Sequence, residues 1–261
     1  MIINYTSDSS ASKTEALAKQ LQELYGVNSL PVQADMGSEN GPAHIIQQAL
    51  NHFAHPKTRK LQIDIIINNA GLASNLTIDA CNSEDFYKLY NVNVRGPLFL
   101  MKAAMPYLPN DRSGRVVNVS SVSASGGFGA QSVYGGTKAA LEAMTRTWSR
   151  ELAERCTVNA VNPGPVATDM WAGVGPEFEQ VVRPWQQITP LSKYREGVDK
   201  PELKDSAERA GGRPVSQRRR VLSSLLTFIR RMSPRSLVSS LCSAHLTVLG
   251  VLVPQFVQTE E

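Results

Sequence analysis

The chain has 261 residues, of which 42% are hydrophobic and 19% charged, and its formal net charge is +4. This composition is typical of a soluble globular protein. The net positive charge does not indicate a nucleic-acid partner, because the densest run of arginines, between residues 218 and 235, lies in the last quarter of the chain. The three cysteines are widely spaced, which excludes a disulfide framework and predicts free thiols in a reducing compartment, the cytoplasm; no metal site is predicted.

Strand and helix patterns alternate along the chain from its first residues. Ile2 and Ile3 predict a short buried strand, which runs into a polar turn from Asn4 to Ser7 and then into a helical stretch. The alternation continues with short connections, which predicts an α/β fold whose doubly wound parallel sheet is covered by helices on both faces. In chain order the later segments are the strand SLPVQADM, the helix GPAHIIQQALNHFA, the buried strand LQIDIIINNAG, a helix from Ser83 to Leu108, the strand GRVVNVSS, the helix YGGTKAALEAMTRTWSRELAE and the strand CTVNAVNPG.

The composition changes twice after the last of these strands. Residues 170–212 are polar and rich in Pro and Gly, which is typical of the substrate-facing loops that follow strand ends in such folds. Residues 215–261 are rich in Ser, Arg and Leu, and two explanations stay open. The tail resembles a mis-spliced or frameshifted segment, or residues 236–258 form a membrane tail anchor, which the serines and Pro254 make the weaker hypothesis. We therefore predict one domain over residues 1–214 and an atypical tail.

The stretch NVSSVSASGGFGAQSVYGGTKAA carries the clearest chemistry. Tyr134 and Lys138 are four residues apart at a predicted helix start, so their side chains share one face. A lysine ammonium beside a phenol lowers the pKa of the phenol and improves it as a proton donor and acceptor. Ser121, at the end of the preceding strand, is placed to bind a substrate carbonyl. These three residues predict an acid/base site for carbonyl and alcohol chemistry.

Further motifs occur in order around this site. They are NNAG at residues 68–71, NVNVRG with Asn93, Ser121, YGGTK, and NPGPVATDM. Taken singly, Asn68 and Asn69 also fit a strand cap, and Pro163 and Gly164 also fit a turn. Asn93 alone also fits a polar helix residue that is bonded to the backbone. Together the motifs resemble those of the short-chain dehydrogenase/reductase family over residues 2–214. Within that family, the motif sequences are similar to those of NADPH-dependent ketoreductases of fungal type, such as polyhydroxynaphthalene and β-ketoacyl reductases. The resemblance implies a Rossmann-like fold and an oxidoreductase. It also implies that Tyr134 is the general acid, Lys138 lowers the pKa of Tyr134 and holds the nicotinamide ribose, Ser121 orients the carbonyl, and Asn93 holds a helix irregularity and a proton-relay water.

The same resemblance implies cofactor contacts along the strand ends. Asn69 would line the cofactor groove, Asp35 and Met36 would flank the adenine, and Val166 and Thr168 would contact the nicotinamide carboxamide. NAD-binding folds usually hold the ribose 2′-hydroxyl with a carboxylate at the end of the second strand. The corresponding residues here are Asn4, Tyr5, Thr6 and Ser7, which donate hydrogen bonds to phosphate oxygens, so the sequence favours NADP(H).

The glycine-rich turn that binds a pyrophosphate in such folds is not found before Ile2. We expect this chain to lack the first strand and helix of the fold, with the strands at Ile2 and at residues 63–71 exposing unpaired edges or shifting to pair with each other. A gene model truncated at its start is one hypothesis. The alternative function is therefore a catalytically impaired relative that cannot hold the cofactor and acts, if at all, by pairing with an intact paralogue.

The resemblance implies a secondary-metabolite substrate, a cyclic or polyketide-like carbonyl compound reduced to an alcohol or formed by the reverse reaction. It also implies a homodimer or homotetramer assembled through the long helices at residues 83–108 and 134–153. No nucleic-acid partner is expected. The sequence thus predicts a cytoplasmic ketoreductase that uses NADP(H).

Overall fold

The computed structural model describes residues 1–164, 180, 183–184 and 250–252. Apart from Gln180, Arg183 and Pro184, these residues belong to one compact unit. Its strands are β1 (Ile2–Tyr5), β2 (Leu30–Gln33), β3 (Ile65–Asn68), β4 (Gly114–Val119), β5 (Cys156–Val161) and β6 (Gly250–Leu252). Its helices are α1 (Ala11–Tyr25), α2 (Gly41–Phe53), α3 (Ser83–Tyr90), α4 (Gly96–Ala104), α5 (Ser123–Gly126) and α6 (Ser132–Glu151).

The six strands form one sheet in the order β2-β1-β6-β3-β4-β5. Parallel pairing joins β1 to β2, β3 to β4 and β4 to β5, as the alternating strand and helix pattern predicts. In register, Ile66 of β3 lies beside Val116 of β4, which lies beside Val158 of β5. This arrangement confirms the predicted α/β fold and brings the carboxyl ends of β3, β4 and β5 to one edge of the sheet.

The centre of the sheet differs from the prediction. Instead of leaving unpaired edges or pairing with each other, β1 and β3 both pair with β6, which runs antiparallel between them. Val251 lies opposite Ile2 on one side and Ile66 on the other. Backbone N–H and C=O groups inside a sheet need partners, and a short antiparallel strand supplies them without a shift of β1 or β3.

The described residues form a hydrophobic core between the sheet and its helices. All four residues of β3 are buried, which confirms that its continuous apolar run is covered on both faces. Helix α2 places Ile45 and Ala49 one turn apart in this core, and α6 contributes Trp148. The other large core side chains include Ile2, Val32, Met36, Ile63, Leu100, Met101, Val116 and Val158.

The helix predicted from Ser83 to Leu108 is divided by a π-helical turn, Asn91–Arg95. The N–H of Gly96 donates to the carbonyl of Asn91, five residues earlier. Pro97 follows and has no N–H, so the carbonyl of Asn93 lacks its usual α-helical donor and the wider turn becomes favourable. A Cβ at Gly96 would lie 2.7 Å from the carbonyl oxygen of Met36, so glycine is required for this close approach.

Three predictions from the sequence concern residues that lie mostly outside the described part of the chain. They are the substrate-facing region 170–212, the domain end near residue 214 and the anchor hypothesis for residues 236–258. Among the described helices, none has both the length and the apolar character needed to cross a membrane.

Candidate active site

Ser121, Tyr134 and Lys138 lie together where β4 ends and α6 begins. All three side chains are buried, and Ser121 hydrogen-bonds to the side chain of Tyr134. The Nζ atom of Lys138 lies 5.9 Å from the centroid of the Tyr134 ring. The same ammonium donates a 2.8 Å hydrogen bond to the carbonyl of Val119, the last residue of β4. The structure therefore brings the three predicted acid/base residues into one cluster.

Burial shifts the pKa values of two groups in this cluster. It raises the pKa of the Tyr134 phenol above its usual value, while the hydrogen bond with Ser121 acts in the opposite direction and is weaker. Burial also lowers the pKa of Lys138 from 10.5 to about 8. The expectation that Lys138 lowers the pKa of Tyr134 stays a prediction, since the net shift of Tyr134 in this structure is upward and burial is its largest cause. The phenol stays protonated at neutral pH.

Asn93 lies in the π-helical turn and is fully buried. Its Oδ1 accepts from the N–H of Leu72 at 2.8 Å, and its Nδ2 donates to the carbonyl of Leu72 at 2.8 Å. The amide also donates to Oγ1 of Thr137 at 3.0 Å, and that hydroxyl donates to the carbonyl of Tyr134 at 2.7 Å. The wide turn thus directs Asn93 between the loop after β3 and the first turns of α6.

Gly71 closes one side of this cluster. A Cβ built on Gly71 would lie 3.3 Å from Nζ of Lys138 and 3.4 Å from Oδ1 of Asn93. The missing side chain leaves a small polar cradle bordered by an ammonium and an amide oxygen. Such a cradle suits the hydroxyl groups of a ribose, so the residues present fit the nicotinamide end of a dinucleotide.

A model of the short chain dehydrogenase family matches residues 3–178. Over 208 residues the chain is 49% identical to the L-xylulose reductase of Aspergillus niger, which covers 76% of this chain and 70% of the relative. It is 46% identical over 222 residues to the L-xylo-3-hexulose reductase of Hypocrea jecorina, with 81% of this chain and 71% of the relative covered. The chain belongs to the short-chain dehydrogenase family. The resemblance seen in the motifs is confirmed, and the chain is an oxidoreductase that interconverts ketones and alcohols.

The fold of this short-chain dehydrogenase also matches solved structures. One is a blue fluorescent protein from a metagenomic library in complex with NADPH, with a TM-score of 0.62 and 30% sequence identity. The match covers 70% of this chain and 70% of that protein.

The predicted cofactor residues occupy different surroundings. Thr6 and Ser7 are exposed just after β1, Tyr5 and Asn69 are half-buried at strand ends, and Asp35 is exposed after β2. Met36 is buried as a whole residue, because its side chain packs in the core and its carbonyl oxygen lies close to Gly96. Val166 and Thr168 lie outside the described residues.

Asn4 requires a correction. Its side chain is buried, and Nδ2 donates to the carbonyls of Val32 at 3.2 Å and Ala34 at 2.9 Å. The amide that was expected to donate to a phosphate is therefore used to join β1 to the end of β2. Asn4 has a structural role in this chain.

Sequence reasoning missed a ladder of buried polar side chains beneath the active site. Nδ2 of Asn68 donates to Oδ1 of Asn118 at 2.7 Å, and Nδ2 of Asn118 donates to Oγ1 of Thr145 at 2.8 Å. The ladder joins β3 and β4 to α6. An asparagine in the middle of the apolar strand GRVVNVSS is the signal that could have indicated it, because buried polar groups need partners.

Within residues 1–164 and the few described beyond them, no group of three or more His, Cys, Asp or Glu side chains could hold a metal ion. Cys81 and Cys156 are free thiols.

Proposed function

We propose that this chain reduces a ketone to a secondary alcohol with NADP(H), and that Tyr134 gives the proton to the carbonyl oxygen. The observation that carries the proposal is the buried contact between the Tyr134 and Ser121 side chains beside Lys138. The phenol carries its proton at neutral pH, which a general acid needs before it donates, and the raised pKa makes it a weaker acid than a free phenol.

Each remaining residue of the cluster has a proposed task. Ser121 donates to the substrate carbonyl oxygen and keeps it within reach of the phenol. Lys138 binds the ribose hydroxyls, and Asn93 holds the loop at Leu72 and a water that returns a proton to Tyr134. When bound, NADPH supplies the hydride that reduces the carbonyl carbon.

The preference for NADP(H) over NAD(H) is proposed from the end of β1. Thr6 and Ser7 present exposed hydroxyls there, and the next acid, Asp8, accepts a 2.7 Å hydrogen bond from Nε2 of Gln33. The blue fluorescent protein in complex with NADPH, 30% identical, gives further support. Asn69 and Lys138 would hold the nicotinamide end. The adenine contacts of Asp35 and Met36 and the carboxamide contacts of Val166 and Thr168 stay predictions.

The proposed substrate is a ketose or another polyhydroxy ketone. L-xylulose reductase and L-xylo-3-hexulose reductase are the supporting relatives, at 49% and 46% identity. The cyclic, polyketide-like ketone of secondary metabolism, expected from the motifs, is the competing substrate class. A comparison of kcat/KM for L-xylulose and for a hydroxynaphthalenone distinguishes the two.

The experiment that tests the proposed function measures NADPH binding and ketone reduction by the full chain. NADPH should quench tryptophan fluorescence, and Tyr134→Phe should reduce kcat by about 10²- to 10⁴-fold while cofactor affinity changes little. Tyr25→Phe, at the end of α1, is the matched control and should behave as the unchanged chain. Turnover retained in Tyr134→Phe would show that another group is the acid.

No quenching at millimolar NADPH would favour the alternative function instead, a catalytically impaired relative that pairs with an intact paralogue. A co-purification of the chain with such a paralogue would then test the pairing.

We also propose that the chain forms a homodimer or homotetramer through its long helices. The outer face of α3 and α4 exposes large apolar side chains, and Arg95 and Lys102 approach the ring of Phe99 at 5.2 and 5.5 Å. The exposed residues are Phe86, Tyr87, Leu98, Phe99 and, just after α4, Met105. An apolar patch of this kind marks an interaction surface, and light scattering of Phe99→Glu should report a smaller assembly.

The cytoplasm stays the predicted compartment.

A further inference from the structure

Glu142 connects helix α6, which carries Tyr134 and Lys138, to the ends of β4 and β5. It lies on α6 one turn after Lys138, and its side chain is half-buried. The hydroxyl of Ser120 donates to Oε1 of Glu142 at 2.8 Å, and Nδ2 of Asn162 donates to the same oxygen. One carboxylate oxygen therefore receives hydrogen bonds from the residues that follow β4 and β5.

Both donors are next to functional positions. Ser120 precedes Ser121, and its hydroxyl also lies 3.3 Å from the carbonyl of Lys138. Asn162 precedes Pro163 and Gly164 in the predicted nicotinamide loop, and its Nδ2 lies 3.3 Å from the carbonyl of Ser121. The bonds of Glu142 thus reach the ends of β4 and β5, next to Ser121 and to the predicted nicotinamide loop.

Backbone hydrogen bonds continue this connection between the strand ends. The N–H of Ser120 donates to the carbonyl of Val161 at 2.8 Å, and the N–H of Val122 donates to the carbonyl of Pro163 at 3.1 Å. Ser121 lies between these two bonds, so a change in the separation of β4 and β5 at this point would move its hydroxyl.

We propose that Glu142 is a positioning residue that fixes α6, with Tyr134 and Lys138, against the strand ends that carry Ser121 and the loop after β5. The inference rests on the proposed function. Hydrogen bonds to a charged acceptor are shorter and stronger than neutral ones. Without the carboxylate, the side chains of Ser120 and Asn162 keep only their 3.3 Å contacts with backbone carbonyls, so Ser121 and Tyr134 lose their fixed separation.

The test compares Glu142→Leu, Glu142→Gln and the matched control Glu151→Leu, which changes an exposed glutamate on the same helix. We expect Glu142→Leu to lower kcat for ketone reduction by about 10- to 100-fold, with a smaller change in NADPH affinity, because misplacement of reacting groups acts on the chemical step. Glu142→Gln keeps an accepting Oε1 and should restore most of the activity. Ser120→Ala added to Glu142→Leu should cost little more, because the two side chains share one bond.

Amide hydrogen exchange gives a measurement that does not depend on activity. Exchange at Ser120 and Val122 should be faster in Glu142→Leu than in Glu142→Gln or Glu151→Leu. If the unchanged chain reduces no ketone, the proposed function fails, and the exchange rates alone decide whether Glu142 fixes the strand ends. Unchanged exchange, kcat within twofold of the unchanged chain, or equal losses of kcat in the Gln and Leu variants would overturn the inference.

Discussion

The two sides of the sheet, with β1 and β2 on one and β3, β4 and β5 on the other, differ in the polar side chains that they bury. Apart from Asn4 and Thr14, the buried polar and charged side chains of the described residues lie between Asn68 and Thr145, in β3, β4, α6 and the turns around them. On the β1 and β2 side, the hydroxyls of Thr6 and Ser7 are exposed, and the buried amide of Asn4 is used by backbone carbonyls.

The proposed roles divide in the same way, with the reaction and the nicotinamide end on the β3 to α6 side and the choice of cofactor at the end of β1. A buried group has its pKa shifted by loss of solvent, as Tyr134 and Lys138 do, whereas an exposed hydroxyl keeps ordinary properties and binds a ligand by direct contact. Substitutions on the β3 to α6 side should therefore change the rate of the reaction. Those at the end of β1 should change cofactor choice or stability alone.

Lys138→Met should show the largest effect. We expect kcat/KM to fall by at least about 10²-fold, because the ammonium proposed to hold the ribose is lost. The free energy of unfolding of Lys138→Met should rise, whereas its activity falls. Burial lowers the pKa of Lys138 to about 8, so keeping it charged costs roughly 3 kcal/mol at pH 7, and the lost bond to Val119 offsets about 1–3 kcal/mol of any gain.

The stability advantage of Lys138→Met should depend on pH. A lysine whose folded pKa is lowered binds its proton less readily when folded than when unfolded, so its cost is greatest below pH 8 and disappears as pH rises toward 10.5. Urea unfolding at about pH 7 and about pH 9.5 should show the advantage of Lys138→Met shrinking with pH. An advantage that grows with pH would contradict the burial argument.

Gly71→Ala should have an intermediate effect. The added methyl would meet Nζ of Lys138 at 3.3 Å and Oδ1 of Asn93 at 3.4 Å, and it would fill the cradle proposed for the ribose. We expect a loss in kcat/KM of about 10-fold, with the unfolding free energy changed by less than about 1 kcal/mol. Gly129→Ala is the matched control, because its methyl meets nothing within 4 Å. Equal activity of the two variants would place the ribose elsewhere.

The sequence predicted the parallel part of the fold because strand and helix periods alternate with little ambiguity from Ile2 to Val161. It also predicted which residues form the acid/base cluster, since the spacing of Tyr134 and Lys138 fixes their shared face on α6. Neither argument depends on contacts between distant segments.

What could not be predicted depends on such contacts. The insertion of β6 between β1 and β3 pairs Val251 with Ile2 and with Ile66, which are both far from it in the sequence, and no local pattern specifies such a pairing. The direction of the pKa shift at Tyr134 depends on how much solvent the folded site excludes, which residue spacing does not give. The role of Asn4 was missed because an amide at a strand end suits a phosphate and a backbone carbonyl equally.

Asn4→Val should have the smallest effect on function and tests the corrected role. Loss of the amide leaves the carbonyls of Val32 and Ala34 without its bonds, so we expect the unfolding free energy to fall by about 1–3 kcal/mol. The ratio of NADPH to NADH affinity should stay unchanged, because Nδ2 does not face a ligand. Thr6→Val, on the exposed turn, should show the opposite pattern: lower NADPH affinity relative to NADH and nearly unchanged stability. If Asn4→Val lowered the preference for NADPH as much as Thr6→Val does, the buried amide of Asn4 would take part in cofactor recognition. Its purely structural role would then be wrong.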